Sequence, residues 1–234
     1  MTVNSGAEPS SPTETEAEAE SRARRARTEA RLAAAGISVP AHLPWIESAD
    51  TVTLRTPTEV ARRTYALFLT AMRADSLLSD AEIPVEEMRE RFPQGFAAFS
   101  PIEAAFFAAA EPEKQTLINS LWRYESLATL QWALGWAEEL PWPTTICDLD
   151  TVIATMMDAD PDERVATAAL RPAAEIVDAL DLHFRLHWAT RHAGLEGRPN
   201  PADLDGGVIM ERHHALNWLI TFMGEDWDDV PTHT

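Results

Sequence analysis

The sequence predicts an all-α protein, a single globular multi-helix bundle with short helices and little or no strand. Three observations lead there. Helix starts recur as a capping residue, a proline and an acid at the third helical position, in TPTE at 56–59, SPIE at 100–103, DPDE at 160–163 and NPAD at 200–203. The cap oxygen takes an orphan amide, proline sits where no amide needs a partner, and the acid meets the positive end of the helix dipole. Helix stops are marked by glycine after an apolar pattern, at Gly36, Gly135, Gly194 and Gly224. Only TVTLRT, at 51–56, reads as extended, and it runs into a helix.

The elements follow in order. Residues 1–20 contain five Glu and no basic residue, too polar to offset ordering by burial, so they read as a disordered acidic tail ahead of a single domain at 21–234. Arg22, Arg24, Arg25, Arg27 and Arg31 then form the one basic cluster of the chain. It reads as a solvated helix face that offsets the tail, or as an arm for an anion or a partner. EPEK at 111 and RPAAE at 171 are weaker helix starts, and the signals together frame at least seven helices. The clear starts lie 44, 60 and 40 residues apart, too irregular for a helical-repeat array.

Composition bounds the function. A chain of 234 residues with 45% hydrophobic content can bury a substantial core. The net charge of −19 argues against a nucleic-acid partner, whose footprint needs clustered Lys and Arg. No apolar run approaches the ~20 residues of a membrane span, the first residues lack signal-peptide order, and the lone Cys147 fits a reducing compartment. The expectation is a soluble cytoplasmic protein without a membrane partner. Cys147 has no visible partner base and reads as an inert thiol.

Two histidines, His183 and His187, lie one helical turn apart in DLHFRLHWATRH. On a wheel they fall at the edge of the apolar sector of Ala173, Ile176, Val177, Leu180, Phe184 and Trp188, with Asp178, Asp181, Arg185 and His192 opposite. The pair lacks the intervening Glu of HExxH, and Glu211-x-x-His214 lacks the second such motif of a di-iron bundle. No cofactor is expected. A divalent metal held by His183, His187, Glu211 and His214 is the alternative. His213 and His214 fall near Asn217 and Thr221 on what reads as a solvated face.

Two charges sit where the wheel expects apolar groups. Arg212 projects among Val208, Leu216, Leu219 and Met223, and Glu125 among Leu117, Ile118, Leu121, Trp122, Ala128 and Trp132. A buried arginine stays charged and needs a carboxylate or several carbonyls, so Arg212 and Glu125 are expected to pair or to share one polar network. Either they form a core ion pair that sets helix register, or Arg212 lines a polar pocket for an anionic group. Arg62 or Arg63 could compete for Glu125. At the C-terminus Trp227, among Glu225, Asp226, Asp228 and Asp229, is expected to dock on the bundle rather than mark a cation site, because the spacing is not that of an EF-hand.

Five stretches in order, RTPTEVARRTYAL, WRYESLATLQWALG, EIVDALDLHFRLHWA, ERHHALNWL and WDDVPTHT, resemble the family catalogued as domain of unknown function 4272, over residues 22–234. The resemblance implies a domain boundary and supplies no mechanism, the family having no assigned activity. The family's closing segment resembles WDxVxTDT, whereas this chain carries His233 in place of the last Asp. The functional expectation is a non-enzymatic binding or regulatory module that engages a protein partner through an acidic or Trp-bearing surface. The alternative is a metal-dependent hydrolase.

Overall fold

The computed structural model describes residues 15–234, all-α in a single domain, with no strand among the described residues. Helix α1 spans Glu16–Ala34, α2 Pro57–Leu78, α3 Val85–Arg91, α4 Pro93–Phe96, α5 Pro101–Ala108 and α6 Lys114–Leu121. Then come α7 at Arg123–Ala133, α8 at Leu149–Met157, α9 at Pro161–Ala166, α10 at Ala173–Leu195 and α11 at Gly206–Leu219. Single 3-10 turns occupy Pro201–Asp203 and Phe222–Gly224.

Three of the four expected caps form. Thr56 and Ser100 close capping boxes with Glu59 and Glu103, and the Asp160 side chain accepts from the Glu163 amide. NPAD is different: it makes only a 3-10 turn, with Ala202 and Asp203 in the left-handed region at φ of 52° and 54°. The helix proper waits for Asp205, whose carboxylate accepts from the Gly207 and Val208 amides. Another cap lies inside the stretch assigned to the tail: Thr15 and Glu18 form a capping box, so α1 opens at Glu16. The rest of that assignment, residues 1–14, lies outside the described residues.

The stops also shift. Gly36, Gly135 and Gly224 take positive φ, but α10 runs through Gly194 and closes at Gly197, where φ is 66°. The apolar pattern at 118–135 is broken at Trp122, which separates α6 from α7. The pattern at 208–224 ends at Leu219, beyond which Thr221 and Met223 have positive φ and Met223 is exposed.

Helix α2 is the axis of the bundle. VARRTYALFLTAM is buried around nearly its whole circumference, with Arg62 exposed, so it is covered on almost all sides. Helices α4, α6 and α7 pack against it, and α11 lies against both α7 and α10. Gly95 lets α4 approach so closely that a Cβ there would lie 2.9 Å from the Tyr65 carbonyl oxygen. Tyr65, Phe68 and Phe92 fill the space beside it, with ring centroids 5.8 and 5.4 Å apart for the two pairs that share Phe92.

The basic cluster is a solvated face only in part: Arg22, Arg27 and Arg31 are exposed and Arg25 is half-buried, but Arg24 is enclosed. Arg24 is buried, pairs with Glu20, donates to the Glu47 carbonyl at 2.6 Å and lies 3.5 Å from Asp178 of α10. Arg27 reaches the same Asp178 at 3.1 Å, and Arg31 stacks over Trp142. The Asp181 and Arg185 pair, expected on the outer side of α10, is buried too, with an N–O distance of 2.8 Å. The reason is shared: α1 covers the face of α10 that a one-sided wheel gives to water. Arg185 also donates to the Pro44 carbonyl and lies 3.7 Å from Glu29 of α1.

Trp227 is buried in the C-terminal segment, edge-on to Trp218 at 5.4 Å and to His214 at 4.7 Å, with the Arg63 guanidinium 4.8 Å from its ring. It closes the bundle over the end of α11.

Candidate functional site

Helices α7 and α11 cross with two charge pairs between them. Arg212 donates from Nε to Glu125 Oε2 at 3.2 Å and from Nη1 to the Pro141 carbonyl at 2.5 Å. The second Glu125 oxygen accepts the Cys147 amide. The Arg62 and Arg63 alternatives do not arise, because Arg63 pairs with Glu103 and donates to the Ala98 carbonyl, while Arg62 lines a cavity beside Arg55 and Trp218. The other pair runs the opposite way, with Arg123 of α7 donating to Glu211 of α11 at 2.9 Å and Ser126 donating to the same carboxylate at 2.8 Å. Burial pushes the Glu211 carboxyl above its usual range, and Arg123 and Ser126 partly restrain it. Each helix thus contributes one acid and one arginine. A slip of one residue would leave buried charges unpaired, at a cost of several kcal/mol.

Glu125 seals Arg212 from outside, and in front of the seal lies an apolar cavity of about 310 Å³. Its walls are Ile118, Leu121, Trp122, Ile146 and Leu149, and its back is Tyr124, Glu125 and Cys147. Ile118, Ile146 and Leu149 are 37%, 56% and 36% exposed, so three large aliphatic side chains face solvent around one concavity. Asp75 lines the same cavity, and the exposed Asp148 and Asp150 flank Leu149 in sequence. The buried Tyr124 hydroxyl has no hydrogen-bond partner among the described residues, and burial holds its proton on. Burial and the adjacent Glu125 push the Cys147 thiol up to about 12, so it stays protonated and a poor nucleophile.

No group of three or more His, Cys, Asp and Glu able to hold a metal ion forms among the described residues, and the four side chains considered for metal have different partners. His183 donates from Nδ1 to the Ala179 carbonyl at 2.8 Å and is held neutral by burial, its pKa lowered to about 3. Glu211 belongs to Arg123, and His214 stands edge-on to Trp227. His187 meets a different partner, His213 of α11, with the two Nδ1 atoms 3.0 Å apart. Neither His213 nor His214 is solvated: His213 is buried, and burial pulls His214 down to about 4. The sequence signal for His213 was present in its neighbour Asn217, whose amide nitrogen lies 3.2 Å from the His213 Nε2. Arg123 was the charged partner that the wheel passed over, because it stands at the helix break beside Trp122.

A single-domain helical bundle is the class that the fold defines, and among the described residues no helix is long and apolar enough to cross a membrane. The chain belongs to the family described as Domain of unknown function (DUF4272), whose model matches residues 24–230. A comparison with curated proteins finds no match, and neither does one with solved structures.

Proposed function

We propose that this domain is a non-enzymatic binding module that receives a bulky apolar side chain of a basic protein segment in the cavity between Ile118, Ile146 and Leu149. The observation that carries the reading is the cluster of three exposed aliphatic side chains around one apolar concavity. Apolar area left in water at one place is a cost that a partner removes, and filling such a pocket with one Leu- or Phe-sized group contributes about 1.5–3 kcal/mol. Charge selects the partner: Asp75 lines the cavity and the exposed Asp148 and Asp150 flank its Leu149 in sequence, in a chain with net charge −19. Lys or Arg beside the apolar anchor would steer approach and fix register. The competing reading, a metal-dependent hydrolase, needs at least three of His183, His187, Glu211 and His214 at one point, and each is committed to a different neighbour.

The test is selection of a random peptide library on the full chain, followed by binding titrations of the enriched peptides. Enrichment of a bulky apolar residue next to Lys or Arg, with affinity lost on Ile146→Glu and weakened by salt, is the expected result. Ile146 is more than half exposed, so the substitution leaves the fold intact. Peptides that bind the variant as well as the parent would overturn the reading.

A further inference from the structure

His187 ends in a second cavity, of about 510 Å³, on the other side of its pairing with His213. The hydrogen bonds settle which nitrogen carries the proton. The Asn217 amide nitrogen lies 2.9 Å from the Pro231 carbonyl, which can only accept, so it is the donor there and also to His213 Nε2 at 3.2 Å. With Nε2 accepting, the neutral His213 ring carries its proton on Nδ1 and donates to His187 Nδ1 at 3.0 Å. His187 therefore holds its own proton on Nε2. His187 is only 5% exposed as a residue, it lines the cavity, and its Nε2 has no hydrogen-bond partner among the described residues. The relay Asn217–His213–His187 thus presents a fixed donor. It cannot act as a base at Nε2 unless its own tautomer and that of His213 both reverse.

The surroundings match a donor site. Arg191, Thr190, Asn200 and Thr232 line the cavity with Gly206 and Gly207, and no Asp or Glu does, in a chain with 38 of them. Arg191 is exposed, has no carboxylate within ion-pair distance among the described residues, and donates to the Thr234 hydroxyl at 3.4 Å. The nearby Asp205 carboxylate is committed to the first turn of α11, accepting from the Gly207 and Val208 amides. We propose that this cavity binds a small oxyanion, a carboxylate or a phosphoryl group, with His187 Nε2–H and the Arg191 guanidinium as its donors. A planar guanidinium beside a neutral, oriented N–H is a complement to two oxygens of one anionic group.

The test is a titration of the full chain with inorganic phosphate and, separately, with acetate, followed by the imidazole nitrogen and proton resonances of His187 and His213. A saturable shift at His187 Nε2–H, weakened about tenfold or more by Arg191→Gln, is the expected result. The anion that saturates first identifies the source as phosphoryl or carboxylate. Arg198→Gln, at an exposed arginine outside this cavity, leaves the response unchanged, and so does Ile146→Glu, which separates this site from the apolar one. No saturable response to either anion, or one that survives Arg191→Gln, would overturn the proposal.

Discussion

Gly207 of α11 lies against the indole of Trp122, at the break between α6 and α7, so closely that an added Cβ would sit 2.6 Å from the ring carbon Cη2. Trp122 is also a wall of the apolar cavity, so a glycine on one helix sets the shape of a pocket built by another. Gly207→Ala must push the ring aside. The gain in helix propensity, up to about 1 kcal/mol, is outweighed by overpacking of about 1–3 kcal/mol. Urea unfolding should show a lower midpoint and tryptophan emission should shift; an unchanged midpoint would mean the ring yields freely.

Removing one partner of the Arg212 and Glu125 pair leaves an uncompensated buried charge. Arg212→Met should cost roughly 3–5 kcal/mol in equilibrium unfolding. Combined with Glu125→Gln, the loss should be smaller than the sum of the single losses, because the two atoms bond directly. Additive losses would show that each residue is held by its other partners, the Pro141 carbonyl and the Cys147 amide.

The histidines make stability fall on acidification. Burial lowers His183 to about 3 and His187 and His214 to about 4, against an ordinary value of 6.5, and it also drives His213 well down. Above 6.5 both states are neutral and the groups contribute nothing. As pH drops below it, the unfolded chain binds protons that the folded one refuses, so stability declines until the folded values are reached. Glu211, whose folded value is raised, opposes this in part. Denaturation midpoints between about pH 7.5 and about pH 5 should decrease, and His214→Phe should flatten the slope. Identical midpoints across that range would place the imidazoles in water.

Trp227 anchors the chain end against Trp218, His214 and Arg63. Trp227→Ala should cost about 3–5 kcal/mol and expose the segment after α11 to proteolysis. Cleavage at the parent rate would show that Val230, also buried, holds the segment without it.

The features legible in the residues alone were local or obligatory. The caps at Thr56, Ser100 and Asp160 depend on a few neighbouring residues, so they read correctly one at a time. NPAD failed because Asp205, five residues on, offered α11 a better start. The union of Arg212 with Glu125 was legible for another reason: a charge in an apolar sector has few affordable partners. The tertiary structure alone decided that Arg24, Asp181, Arg185 and His213 are buried, and that His187 turns to His213 instead of His183. A helical wheel gives every helix one wet side. Here α1 covers α10, and α7, α10 and the C-terminal segment enclose α11, so polar residues on the supposed outer faces meet protein and must find partners there.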